Sequence, residues 1–285
     1  MIRNNNLSPL PWYDNINYQN HRKDYAYGNI YQLITPEKKL LPFQIQRKTR
    51  DNEISNVVIK SLDGSKTINV TEEIKEAGLE IKRYESDGYD LIIYPGTLPM
   101  AINIFEGMYY AEMTDGVDTW YSEVFTVMKN IDNYMCIEWW DEEPFYYSVG
   151  HIFYNGNTFK NRIYIPTQVG KPDYDFTEEG EKRDGYFFPE KQVSEKVYKF
   201  SFLAPEYLCD SIRIISMSDH IRIRSKGITY DIDNILFTPK WQEQGDLAAV
   251  DCEFKTDTVI KKIGKTVTIK NLGDFNNDFN NDFDT

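Results

Sequence analysis

The hydrophobic and polar positions of the segment GMYYAEMTDGVDTWYSEVFTV, residues 107–127, form two apolar runs on either side of a turn. Aromatic and β-branched residues dominate both runs, and such side chains suit a pleated, half-buried surface. Asp115 and Gly116 suit the turn, because glycine tolerates positive φ and aspartate bonds to its own backbone. Glu112 and Glu123 interrupt the apolar runs, so we expect a hairpin with one face in a core and the other at solvent or a neighbour.

Similar strand patterns come before this hairpin. Apolar runs in LLPFQIQR, SNVVIKS, LEIKRY and YDLIIY are separated by turn signals at Asp63-Gly64 and Asp87-Gly88. Short strands with frequent turns and no long helical period predict a β-sandwich, immunoglobulin-like, over residues 41–130. The segment TEEIKEAG predicts one helical turn that ends at Gly78.

The second half of the chain, residues 131–270, predicts a β-rich α+β domain with one short helix. The helix is expected within residues 205–219, because Pro205 suits a first turn and Leu208, Ile212 and Ile215 recur on one helical face. Strands are expected in YMCIEWW, RIYIP, VYKFSFL, LAAVDCEF and TVTIK, and in a hairpin across Ser225-Lys226-Gly227. Residues 170–185, GKPDYDFTEEGEKRDG, are charged and are interpreted as a surface loop.

The two ends of the chain have compositions of their own. Residues 1–40 are rich in Asn and Tyr and contain several prolines, which predicts an extended N-terminal arm. Residues 271–285, NLGDFNNDFNNDFDT, form a low-complexity tail of Asn, Asp and Phe. We expect both segments to be held by contacts with a partner.

Charge and composition exclude several classes of protein. The net charge of -13 argues against direct, sequence-specific binding of nucleic acid, which needs clustered Lys and Arg to displace counterions. No apolar run reaches the ~20 residues that span a bilayer, and the start MIRNNNLSPLPWYDN lacks the apolar stretch of a signal peptide. We therefore expect synthesis in a cytoplasm, without a signal peptide or a membrane segment. Cys136, Cys209 and Cys252 lack metal-ligand or disulfide spacing and are interpreted as reduced core thiols.

One segment has the composition of a glycosidase site. Glu138-Trp139-Trp140-Asp141-Glu142-Glu143 places carboxylates beside indoles, and glycosidases use paired carboxylates as acid and as nucleophile or base. In a strand, however, Glu138 and Trp140 share one face while Trp139 and Asp141 share the other. We therefore favour a strand that ends in a solvated acidic turn and expect no enzyme activity.

Other candidate sites for catalysis, cofactors and metals are weak. His21, His151 and His220 lack a neighbouring nucleophile motif, and no phosphate-binding or dinucleotide fingerprint occurs. Asp274, Asn276 and Asp278 imitate the start of a calcium loop, but Phe279 occupies the position that needs glycine and Thr285 the one that needs glutamate. We predict no catalytic residue, no cofactor and no metal.

The aromatic content favours binding over catalysis. The chain contains 21 Tyr and 5 Trp residues. These side chains could form flat platforms for sugar rings, or they could bury area between proteins while keeping a polar tip in water. Composition does not separate a carbohydrate-binding module from a protein interface.

Several ordered segments together resemble a family of virion structural proteins. LLPFQIQR, GMYYAEMTDGVDTWYSEVFTV, KVYKFSFLAPEYLCDSIRIISMSDHIRI and KWQEQGDLAAVDCEFKTDTVIKK are similar to neck and tail proteins of crAss-like and other Bacteroidetes phages and prophages. The similarity covers residues 41–262. It implies a non-enzymatic subunit of the virion that assembles with copies of itself in a ring and contacts neighbouring neck or tail proteins. A carbohydrate-binding module at a tail or fibre tip is the alternative, and a glycoside hydrolase is the third hypothesis.

Under this interpretation, aromatic residues of the arm, the hairpin and the tail contact neighbouring subunits. The arm residues are expected to be buried only between subunits. The interface candidates are Trp12, Tyr13, Tyr18, Tyr25, Trp120, Phe275, Phe279 and Phe283.

Overall fold

A computed structural model describes residues 8–22, 31–84, 88–96, 100–102, 104–142, 145–147, 152–154, 159–241, 246–256 and 260–263. The protein is mainly β, with 55% of the described residues in strands and 10% in helices. The predicted fold class, a β-rich and sandwich-like protein with short helices, is confirmed.

The strands and helices are short, except for two long strands in the second half. The strands are β1 (Trp12–Tyr13), β2 (Leu33–Pro36), β3 (Phe43–Lys48), β4 (Asn56–Ser61), β5 (Thr67–Asn69), β6 (Glu80–Tyr84), β7 (Tyr89–Tyr94), β8 (Gly107–Thr114), β9 (Thr119–Ser122), β10 (Phe125–Met128), β11 (Met135–Trp140), β12 (Phe145–Tyr147), β13 (Ile152–Tyr154), β14 (Asn161–Ile165), β15 (Asp173–Arg183), β16 (Tyr186–Pro205), β17 (His220–Ser225), β18 (Ile228–Ile232), β19 (Ile235–Lys240), β20 (Leu247–Lys255) and β21 (Ile260–Ile263). The α-helices among the described residues are α1 (Thr71–Glu76) and α2 (Glu206–Ile212), and short 3-10 turns occupy Ile16–Tyr18, Asn20–Arg22 and Ile215–Met217.

The chain forms two compact units whose boundaries differ from the predicted domains. Unit 1 consists of Met1–Pro172 and Val197–Asp257, and unit 2 consists of Asp173–Lys196 and Thr258–Thr285. A single buried hydrophobic cluster joins strands from both predicted domains in unit 1. Arg162 also donates a hydrogen bond to the Gly96 carbonyl at 3.0 Å, across the boundary predicted at residue 130. The predicted boundary at residue 130 crosses a shared core, and of unit 2 only residues 173–185 belong to the segment interpreted as a loop.

The first half contains two sheets that contact each other. The larger has the order β1-β9-β8-β10-β2, with β4 paired to β8 and β5 to β4, and the smaller has the order β3-β7-β6. Phe43 of β3 contacts Trp12 of β1 with ring centroids 4.7 Å apart, and the Arg47 guanidinium lies over the Trp120 ring of β9 at 6.0 Å. The helical turn that ends at Gly78 is confirmed, and Gly78 has a φ of +103°.

The predicted hairpin is present, but its second limb contains a β-bulge. Glu112 pairs with Tyr121, and Tyr109 pairs with Phe125. Two residues of β8 therefore lie opposite the three residues 122–124, which leaves one residue extra. The extra residue splits the second limb into β9 and β10.

The described part of the N-terminal arm, residues 8–22 and 31–40, lies on its own chain, contrary to the expectation that a partner holds it. β1 pairs with β9 in antiparallel orientation, and β2 pairs with β10 in parallel orientation. The Glu123 carboxylate at the bulge accepts hydrogen bonds from the Tyr13 hydroxyl at 3.0 Å and from the backbone N–H of Asn20 at 2.8 Å. The arm pairs here because the hairpin would otherwise expose unpaired backbone groups along its outer edge.

The second half contains a four-stranded sheet of order β14-β11-β17-β18 and a five-stranded sheet of order β15-β16-β20-β19, with β21 paired to β16. The hairpin across Ser225-Lys226-Gly227 is confirmed as β17 and β18. The predicted helix is shorter than expected, because α2 ends at Ile212 and Pro205 belongs to β16. The interpretation of residues 170–185 as a loop is wrong, because β15 occupies most of that segment. The segment TVTIK lies outside the described residues.

Candidate interaction surfaces

Unit 2 contains an exposed β-ribbon, which we define as residues 173–196, made of β15 and the first part of β16. Asp184 and Gly185 connect the strands with φ values of +51° and +83°, as a two-residue turn requires. Every residue of β15 is exposed, and so are the first five residues of β16. A two-stranded hairpin is at best marginally stable in water, so this ribbon needs further contacts to be rigid.

The ribbon exposes large apolar side chains. Tyr174, Phe176 and Tyr186 are 71%, 58% and 73% exposed. Phe187 and Phe188 are also exposed, as are Ile260 and Ile263 of β21, which pairs with residues 191–194 of the ribbon. Contiguous exposed apolar residues mark sites of protein interaction.

The two sides of β15 differ chemically. Alternation along the strand places Tyr174 and Phe176 on one side. It places acidic residues on the other side, which we call the acidic side: Asp173, Asp175, Glu179 and Glu181. The whole ribbon has eight acidic and four basic residues, a net charge of -4. One side can therefore contact an apolar surface and the other a cationic one.

A second polar surface lies on the sheet of β11, β14 and β17. Cys136, Glu138 and Trp140 alternate on one face of β11, and Glu138 pairs in register with Arg162 and Arg222. The Glu138 carboxylate is buried and accepts bonds from Arg162 Nε at 2.7 Å and from Arg224 Nη2 at 2.5 Å. Both oxygens of this carboxylate therefore accept bonds from arginines of neighbouring strands.

Trp140 is the aromatic centre of this face. The His220 ring stacks on the Trp140 indole with centroids 5.1 Å apart. Lys160 Nζ lies 3.9 Å from the indole centroid, and the Arg222 guanidinium carbon lies 5.4 Å from it. Cations over an indole face are attracted by the ring quadrupole. Cationic side chains are therefore concentrated around the Trp140 ring, although the protein as a whole is acidic.

We call this surface the basic face and define it by Trp140 and five cations: Lys39, Lys160, Arg162, Arg222 and Arg224. Burial, followed by the neighbouring Arg162 guanidinium, lowers the pKa of Lys39. Arg222 is paired with Asp231 at 2.6 Å and remains 33% exposed, and Arg224 is 49% exposed. The sequence signal that could have found the face is the alternation HIRIR in β17, which puts every second residue on one side.

The carboxylates of the glycosidase hypothesis do not converge. Asp141 is buried on the side of β11 opposite Glu138, and its Oδ1 accepts a bond from the Asp219 N–H at 3.0 Å. Burial raises the pKa of Asp141 to about 6. The nearby Glu142 carboxylate instead contacts His220 Nε2 at 2.8 Å, and Glu143 lies outside the described residues. This arrangement gives a sugar no pair of facing acids.

The rings of Trp139 and Trp140 are also not exposed as a platform for a sugar would be. Trp139 is 1% exposed and belongs to the hydrophobic core. Trp140 is partly buried, and its ring is already contacted by His220 and Lys160. A platform for a sugar needs an open aromatic face, which neither indole supplies within the described structure.

A buried ion network supports the hairpin turn. Arg47, 1% exposed, contacts Asp90 at 3.3 Å and Asp115 at 2.7 Å, and Arg50 contacts Asp115 and Asp118. Burial opposes ionisation of Asp115, but bonds from the backbone N–H of Asp118 and of Val117, with the nearby arginines, hold its pKa below the usual range. The network ties β3 and β7 to the turn, and its role is structural.

The fold places the interface candidates in different environments. Trp12 and Trp120 are 1% and 2% exposed and lie inside unit 1, so the expectation that they contact other subunits is wrong. Tyr13 is half-buried against Glu123, whereas Tyr18 is 55% exposed. Tyr25, Phe275, Phe279 and Phe283 lie outside the described residues, and the expectation for them stays a prediction. The indoles of Trp12 and Trp120 are buried because β1 and β9 are adjacent strands of a sheet that packs against β3.

The remaining candidate groups are the cysteines, a surface pocket and possible metal ligands. Cys136, Cys209 and Cys252 are free thiols, and burial raises the pKa of Cys136 to about 12 and of Cys209 to about 11. A shallow pocket of about 400 Å³ lies at the β4–β5 turn, lined by Asp63, Lys66 and Glu106 among others. Within the described ranges, no group of three or more His, Cys, Asp or Glu side chains is arranged to hold a metal ion.

Comparisons with known proteins assign no family. No protein-family model matches the chain, and no curated protein matches it. In the described part of the chain, no helix has the length and apolar character that crossing a membrane requires. Function must therefore be argued from the surfaces.

Proposed function

We propose that the protein is a non-enzymatic structural subunit that assembles with copies of itself into a ring of a phage neck or tail. The observation that carries the assembly role is the exposed ribbon, with Tyr174 and Phe176 at solvent on one side of β15. Burying such residues is favourable by about 25 cal/mol per Å² of apolar surface that leaves water. The assignment to a phage neck or tail rests on the sequence resemblance.

The arrangement of the chain supports an assembly role over catalysis. Glu138 lies on β11 and is held by two arginines, whereas Asp141 follows the end of that strand and accepts a bond from the Asp219 backbone. The ribbon, in contrast, is a long two-stranded hairpin whose apolar residues are exposed in the single chain. Such a hairpin suits a subunit that contacts its neighbour through these residues.

The assembly role is tested by replacing Tyr174 and Phe176 with Ser in the full chain. Native mass spectrometry and light scattering should show oligomers for the wild-type protein and a shift to monomer for the variant. Leu236→Ser is the matched control, because Leu236 is 62% exposed on β19, outside the ribbon. A wild-type chain that stays monomeric at high concentration contradicts the proposal.

The phage assignment needs a separate measurement. Quantitative mass spectrometry of purified virions should find this chain at a fixed copy number per particle, as expected for a closed ring. If purified particles lack the chain, the virion role is wrong even where the isolated protein oligomerises.

A further inference from the structure

The ribbon and the basic face carry opposite charges on the same chain. The protein as a whole has a net charge of -13, and the ribbon contributes -4 of it. The basic face sets five cations against the four carboxylates Glu138, Glu142, Asp219 and Asp231, since Asp219 Oδ2 accepts a bond from the Glu142 N–H. Its excess of one positive charge is opposite in sign to the net charge of the protein.

The charges on both surfaces are accessible to a partner. Glu179 and Glu181 on the acidic side are 68% and 53% exposed, although they contact Lys191 and Arg183 of the same ribbon. On the basic face Arg224 is 49% exposed and His220 is 41% exposed. Exposed ion pairs contribute little free energy, so their side chains can exchange partners at low cost when another molecule binds.

We infer that the acidic side of the ribbon of one copy docks on the basic face of a second copy of this chain. The inference rests on the proposed assembly role and names the surface that receives the ribbon. Carboxylates of β15 would pair with Lys160, Arg222 and Arg224, while Trp140 supplies a desolvated centre. Charge complementarity of this kind sets the register of a contact and suppresses wrong partners.

The dimensions of the two surfaces are compatible. The 11 residues of β15 span about 36 Å at 3.3 Å per residue. On the receiving sheet β14 is buried and β11 is buried up to Trp140, so the accessible part is Trp140 with β17 and β18, two strands that cover about 5–10 Å at their usual spacing. The ribbon is therefore long enough to cross the face.

Two unlike surfaces allow two kinds of assembly. Two copies can close a dimer by exchanging ribbons reciprocally, or the contact can repeat from copy to copy until a ring closes or a filament forms. The proposed ring corresponds to the second arrangement.

The test uses charge reversal on each surface in the full chain. The ribbon variant is Glu179→Lys with Glu181→Lys, and the basic-face variant is Lys160→Glu with Arg222→Glu. Each variant should weaken self-association by at least about tenfold at low salt, and a chain carrying all four changes should recover to within about threefold of wild type. The readouts are native mass spectrometry and sedimentation, with circular dichroism to confirm that each variant is folded.

The control reverses two lysines outside both surfaces, Lys199→Glu with Lys240→Glu. Lys199 and Lys240 are 58% and 65% exposed, and the control should associate like the wild type. If the charge variants associate normally while the Tyr174 and Phe176 replacement abolishes association, the basic face is not the receiver and the assembly role stands. If both single-surface variants weaken association but the combined chain does not recover, the pairing of these two surfaces is wrong. A monomeric wild-type chain overturns both proposals.

Discussion

At the scale of single residues, Asp141 gives the fold a dependence on pH. Its carboxyl is buried beside Asp219, and burial raises its pKa to about 6 from an ordinary value of 3.8. Between these two values the folded chain binds more protons than the unfolded chain. The free energy of unfolding contributed by this group therefore falls as the pH rises from about 4 to about 6, and stays low above that.

Replacing Asp141 with Asn should remove this dependence. The Asn side-chain oxygen still accepts the bond from the Asp219 N–H but carries no charge to desolvate. We expect the variant to gain about 3 kcal/mol in free energy of unfolding at pH 7, since the pKa is raised from 3.8 to about 6, and nothing at pH 4. Urea denaturation of both proteins across this range checks the expectation. Parallel curves for the two proteins would contradict the assigned role of the carboxyl.

The two arginines that bind Glu138 provide a matched pair of substitutions. Arg162 is 9% exposed and Arg224 is 49% exposed, yet each donates to an oxygen of the same carboxylate. Arg162→Gln removes the buried partner of Glu138 Oε1 and leaves that carboxylate with Arg224 alone, which should cost about 3 kcal/mol of stability. Arg224→Gln should cost less than about 1 kcal/mol, because solvent screens that pair. Thermal denaturation of both variants measures the difference, and equal losses would show that burial does not set the strength of this pair.

At the scale of elements, the bulge at Glu123 explains how the hairpin edge is closed. The extra residue turns a carboxylate toward the arm, where it accepts bonds from Tyr13 and from the backbone of Asn20. The Glu123 backbone N–H in turn donates to the Pro11 carbonyl at 2.9 Å. The edge of the sheet is thus covered by residues of the same chain, and strand addition from another molecule is blocked there.

The Glu123 contacts predict a selective loosening of the arm. Glu123→Ala removes the acceptor for Tyr13 and Asn20, and hydrogen exchange at the amides of residues 12–22 should speed up by at least about tenfold. Tyr13→Phe removes a single bond and should cost only about 1 kcal/mol. Exchange mass spectrometry reports both effects. Unchanged protection of the arm in Glu123→Ala would mean that β1 pairing alone holds it.

At the scale of the whole molecule, the rate of proteolysis at the ribbon tip should report whether the protein has assembled. Lys182 and Arg183 precede the turn at Asp184-Gly185, and all four residues are exposed. Exposed loop tips are preferred sites of proteolytic nicking. Trypsin should therefore cut the dilute monomer at the ribbon tip first, and the assembled protein should resist this cut. Peptide mapping after brief digestion at low and high protein concentration measures the protection, and equal cleavage in both would contradict docking of the ribbon.

The local structure of the molecule follows from short sequence patterns. Runs rich in aromatic and β-branched residues predict β8, β11 and β17, and the Asp-Gly pair predicts the turn at residues 115–116. These features depend on neighbours within a few residues, which is why pattern and turn chemistry suffice. The two-residue period of a strand also predicts that Glu138 and Asp141 lie on opposite sides.

Only the tertiary structure decided where polar and aromatic side chains lie. Arg47 and Glu138 are buried because distant strands supply their partners, and Trp12 and Trp120 are internal because the arm pairs with its own hairpin. The charged segment of β15 has the composition of a loop, and its strand forms by pairing with β16. In each case the deciding contact joins residues far apart in the chain, and the free energy of that contact does not appear in any local pattern.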